Sequence, residues 1–145
     1  MWTCPKCKQQ FVNRNQSHSC GHFTVDSFLL NKSPLAVKLF RTFLQKYSEV
    51  GDYKLHPVKT RVALFTQMRF ASINKLGKDY LDGHLVLTEP HDDEPVFRRI
   101  ENLGNRFFIH HFRIRKPSDI NDVLMRYMRS AYKIGQREHI KAKKR

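Results

Sequence analysis

The spacing of apolar residues changes twice along this chain, and those changes limit what it can fold into. In SPLAVKLFRTFLQKY, residues Ala36, Leu39, Phe40, Phe43, Leu44 and Tyr47 recur at steps of three and four, which makes one stripe of a helix. Ser33 is a suitable cap, Pro34 falls at the first helical position where its missing N–H costs nothing, and the helix should stop near Gly51. From Tyr53 to Arg115 the period drops toward two. KTRVALF, RFASINKL, GHLVLTE, RRIEN and RFFIHHFRIR read as strands, with LGKDYLDG, PHDDEP and NLGN as turns. After Lys116-Pro117 the helical period returns: Ile120, Leu124, Tyr127, Met128, Ala131 and Ile134 share one face behind a cap at Ser118 or Asp119. Short links between consecutive strands favour antiparallel pairing.

The expectation is an α+β domain over residues 24–145, with an antiparallel sheet of about five strands and flanking helices packed on one face. Phe40, Phe43, Leu44, Leu124 and Met128 should lie in one core, and a short helix should start at Thr24. No apolar run approaches the roughly 20 residues of a membrane span. The start MWTCPKC has neither the charge nor the apolar stretch of a signal peptide, so the expected location is cytoplasmic.

Residues 1–23 form a separate head, because all three cysteines of the chain fall in CPKCKQQFVNRNQSHSCGH. In a reducing compartment such a CxxC reads as a metal site or a redox pair, not as a structural disulfide. A redox CxxC belongs between a strand and a helix of a βαβ unit, which this head lacks. Cys4 and Cys7 can wrap one ion through a tight turn, and His18, Cys20 and His22 point the same way in an extended segment. Mixed thiolate and imidazole donors suit zinc, Zn2+, in a closed structural site. The expected ligands are Cys4, Cys7, His18 and Cys20, with His22 in place of His18 as the alternative. Trp2 and Phe11 are candidates for a small apolar plug.

Alternation in FFIHHFRIR sends Phe108, His110, Phe112 and Ile114 to one face and Phe107, Ile109, His111, Arg113 and Arg115 to the other. His110, between phenylalanines, reads as a hydrogen-bonded core histidine; His111 beside Arg113 is the better functional candidate. With both helices on one face, the second face carries Arg61, His111 and Arg113, with Phe65 among them and Arg69 nearby. The acidic run His91-Asp92-Asp93-Glu94 reads as a solvated loop. No nucleophile triad, Gly-rich phosphate loop or paired-carboxylate motif is present, so no catalytic residues are assigned.

The segments CPKC…NQSHSCG, PVKTRVALFTQMRFASI, FRRIENLG, FFIHHFRI and AYKIGQREH together resemble a bacterial family, domain of unknown function 5655. The resemblance covers nearly the whole chain and implies a zinc-type head fused to an α+β domain. It matches the head at Cys4, Cys7, His18 and Cys20, which ranks His18 above His22; Lys8 stands where the pattern suggests glycine. It brings no activity with it.

Formal net charge is +14, which points to anionic partners. The first expectation is binding of a polyanion such as nucleic acid. It would use the stripe Arg126, Arg129, Lys133 and Arg137, the tail Lys141, Lys143, Lys144 and Arg145, and the sheet face, where Phe65 would stack on a base. The alternative is a small-molecule anion-binding domain or enzyme using Arg61, Arg69, His111 and Arg113. A protein–protein adaptor is a third class.

Overall fold

Thr24 opens the α+β domain: its hydroxyl accepts from the Ser27 N–H at 3.0 Å and starts helix α1, Val25–Leu29. Ser33 does the same for α2, Pro34–Val50, accepting from the Ala36 N–H at 3.1 Å, and Gly51 ends it. The computed structural model of the chain describes residues 23–138 and, ahead of them, residues 2–3, 5 and 10–11. Cys4, Cys7, His18, Cys20 and His22 lie outside the described residues, as do the tail residues Lys141, Lys143, Lys144 and Arg145 and the proposed plug side chains of Trp2 and Phe11. Within the head, β1 (Trp2–Thr3) pairs antiparallel with β2 (Gln10–Phe11).

Six strands follow: β3 (Lys54–Pro57), β4 (Val62–Phe65), β5 (Arg69–Leu76), β6 (Leu81–Leu87), β7 (Arg99–Leu103) and β8 (Phe107–Ile114). They form one antiparallel sheet in the order β3-β4-β5-β6-β8-β7. The expected α+β class holds, with one strand more than anticipated. KLHP is a four-residue edge strand ending in Pro57, too short to show a period and carrying the residue that edges tolerate.

The chain closes with α3, Asp122–Gly135. Its cap is Asn121, whose side chain accepts from the Leu124 N–H at 3.0 Å, and not Ser118 or Asp119 as expected. Asp119 is already committed: its carboxylate accepts the Arg115 and Lys116 N–H groups at 2.8 and 3.2 Å, closing a short 3-10 turn over Pro117–Asp119. A second correction concerns Arg137. The helix ends at Gly135, and Arg137 sits past it in the left-handed region at φ 62, so only Arg126, Arg129 and Lys133 of the expected stripe are helical.

Both long helices pack on β5 and β6 and on each other, so they cover the same sheet face. Phe40, Phe43, Leu124 and Met128 are buried in one cluster with Leu64, Leu85, Phe112 and Ile114, and Leu44 packs against it half-buried. Tyr47 ties the helices together, its buried hydroxyl donating to the Met128 carbonyl at 2.8 Å. A bulge at Leu64/Phe65 turns both Phe70 and Ala71 into the core. Phe70 in turn requires Gly135, where a Cβ would lie 2.4 Å from its ring.

Candidate anion-binding site

One row of residues crosses the whole sheet on the face away from the helices. The register pairs His56 with Ala63, Ala63 with Ser72, Ser72 with His84, His84 with His111, and His111 with Arg99, one residue from each strand. Leu81, Leu85 and Leu87 face the core from β6, so Asp82, His84 and Val86 face outward.

Hydrogen bonds fix the groups of this row. The Asn74 amide donates to His84 Nδ1 at 2.9 Å, which places the ring proton of a neutral His84 on Nε2. Burial first, then the neighbouring His111 and Arg61, push the His84 pKa down to about 4. The ring of His111 lies 5.6 Å from that of His84 and contacts Glu101 through Nε2 at 2.6 Å. Arg99 reaches the same Glu101 oxygen at 2.8 Å. The hydrogen bond from His111, more than any other contact, holds the Glu101 carboxyl below its usual range. On the other side of His84, Arg69 donates to His56 Nδ1 at 2.6 Å; burial and then the charge of Arg61 lower its pKa.

Next to the row lies a cleft of about 460 Å³ lined by Asn74, Lys75, Asp82, Gly83, Arg98, Arg99, His111 and Phe112. Four of these can carry positive charge and one, Asp82, negative. Asp82 is itself engaged by Arg113, which donates Nε and Nη2 to its two oxygens at 2.7 and 2.9 Å and stacks on Tyr80 at 3.9 Å. That bidentate bond raises the Arg113 pKa. Arg98 approaches the same carboxylate at 3.9 Å.

The four residues expected to bind an anion therefore divide. His111 lines the cleft; Arg113 stands beside it, held by Asp82; Arg61 and Arg69 lie across His84 from it. Phe65 departs from expectation more plainly. It is only 6% exposed, so it offers no platform on which a base could stack. His110 is the core histidine anticipated, accepting from the His91 N–H at 3.1 Å and bonding the Phe108 carbonyl at 2.9 Å. The acidic loop does more than solvate, since Glu94 accepts from the Tyr127 hydroxyl at 3.1 Å. Among the described residues no grouping of three His, Cys, Asp or Glu could hold a metal ion.

Sequence reasoning missed His84, Asn74, Lys75, Arg98 and Arg99. Alternation in GHLVLTE could have placed His84 on the outer face, but pairing it with His111 needs the strand order. The helical stripe is a separate surface. Arg126, Arg129 and Lys133 are exposed and, among the described residues, have no carboxylate within ion-pair distance. They sit on the outer side of the helix layer, opposite the row. No helix among the described residues is long and apolar enough to cross a membrane.

The sequence model of a family described as Domain of unknown function (DUF5655) matches residues 25–135. No curated protein matches the chain. No solved structure matches it either.

Proposed function

The chain belongs to the DUF5655 family, and from that premise, which carries no activity, we propose that it is an anion-binding protein whose sheet-face cleft takes a phosphate or carboxylate group of a small molecule. The observation that carries this reading is the convergence of Lys75, Arg98, Arg99 and His111 on one cleft of about 460 Å³ whose lining includes one carboxylate, Asp82, with Glu101 outside the lining bonded to Arg99 and His111. That volume falls within the usual range for small-ligand sites, roughly 300–1,000 Å³. Guanidinium groups suit bidentate recognition of either anion, and the bidentate bond from Arg113 occupies both oxygens of Asp82, which Arg98 approaches only at 3.9 Å. The test is calorimetric titration with inorganic phosphate, then with phosphorylated and carboxylated metabolites, on wild type and Arg99→Ala. Saturable binding lost in the variant supports the reading; equal binding by both sinks it.

A second reading, nucleic-acid binding through α3, rests on the three exposed cations Arg126, Arg129 and Lys133, which have no carboxylate partner among the described residues, and on the +14 charge. Its signature is affinity that falls linearly with salt on logarithmic axes, with each phosphate-contacting cation removed lowering the slope by about one unit. The cleft and the stripe lie on opposite sides of the helix–sheet sandwich, so variants separate the two.

The head is proposed to hold one structural zinc through Cys4, Cys7, His18 and Cys20, with His22 the alternative to His18. Support comes from the donor set and from the β1–β2 pairing on either side of CPKC. A cytoplasmic location accords with it, because the thiolates stay reduced there.

A further inference from the structure

A second cleft, of about 490 Å³, opens between the end of β6 and the last turns of α3. Leu87 and Ile134 give it an apolar floor, His91 lines one side, and Lys133 of the basic stripe lines the other. Glu89 and Glu138 also line it. We infer that this cleft takes a nucleobase of a single-stranded nucleic acid whose phosphates run along Arg126, Arg129 and Lys133, an inference that rests on the second reading above.

Two features of the cleft select a base over other occupants. Rings of unpaired bases are recognised by stacking on aromatic side chains, histidine included, together with hydrogen bonds to their edges. The His91 ring is held in place, 4.8 Å from Tyr127 and 5.4 Å from His110, while its backbone N–H is fixed on His110 Nε2. It therefore contributes contact area at little cost in side-chain freedom. The two glutamates repel phosphate from the interior but accept from amino and imino groups of a base, so charge sorts the ligand: backbone outside, base within. A duplex keeps its bases stacked and paired, and can use only the stripe.

The experiment measures binding of a short single strand and of the matching duplex, at one salt concentration, to wild type, Ser130→Trp, His91→Ala and Arg129→Ala. Ser130 is exposed on α3 and lines the cleft, so a tryptophan there fills it without entering the core. Wild type should prefer the single strand by about tenfold, near the worth of one stacked base. Ser130→Trp and His91→Ala should bring the single strand down to the duplex value and leave duplex binding unchanged. Arg129→Ala should weaken both ligands. Equal binding of single strand and duplex by wild type, or a preference that survives Ser130→Trp, overturns the inference while leaving the stripe intact. Absence of both kinds of binding overturns the stripe and the cleft together.

Discussion

His84 on β6 and His111 on β8 stand directly opposite each other across the ladder, their rings 5.6 Å apart. Their partners differ: Asn74 binds His84 at Nδ1, whereas Glu101 binds His111 at Nε2. The pair sits in the row of residues that crosses the sheet beside the cationic cleft.

The first prediction follows from the depressed pKa of His84. Its folded value, about 4, lies below the ordinary 6.5, so the unfolded chain binds more protons between those limits. The contribution of neutral His84 to stability is complete above about pH 6.5 and is lost as pH falls toward 4. His84→Gln should flatten the pH dependence of denaturant midpoints in that window. NMR titration of His84 with a midpoint above 6 contradicts the assignment.

Gly135→Ala should destabilise the domain by about 1–3 kcal/mol, because a Cβ there lies 2.4 Å from Phe70. Helix propensity alone argues the opposite sign, a gain of roughly 0.8–1.0 kcal/mol. Urea denaturation decides between the two.

Much of this architecture was legible in the sequence. The stripe from Ala36 to Tyr47 and the alternation of FFIHHFRIR gave the helix layer and sorted His110 from His111, because both patterns are local. The cleft was not legible. RRIEN shows no apolar alternation, so nothing marked Arg98 and Arg99, and β7 lies on the far side of β8, an order that spacing along the chain does not reveal. Arg113 looked like a free anion ligand because its partner, Asp82, is thirty-one residues away on β6.

Tyr47→Phe removes the buried hydroxyl that joins α2 to α3. The cost should be about 1 kcal/mol, that of one neutral hydrogen bond. Tyr47→Ala, which also empties core volume, should cost roughly 3–5 kcal/mol. Equal effects from both changes would contradict the packing described.

Protein purified without added metal should carry one zinc per chain by elemental analysis. Cys7→Ser should release it and leave the thermal transition of the sheet domain in place, since residues 25–135 hold their own core. Freely titratable thiols and no zinc in the wild type would remove the metal from the account. Release by His22→Ala and not by His18→Ala would change the fourth ligand.

Titration of isotope-labelled protein with inorganic phosphate, followed at side-chain and backbone resonances, decides whether the cleft lined by His111 binds an anion. Anion binding there should give saturable shifts at Lys75, Arg98, Arg99 and His111, abolished by Arg99→Ala and unaffected by Arg129→Ala. Shifts confined to Arg126, Arg129 and Lys133, or no saturable shift at the cleft, would contradict it.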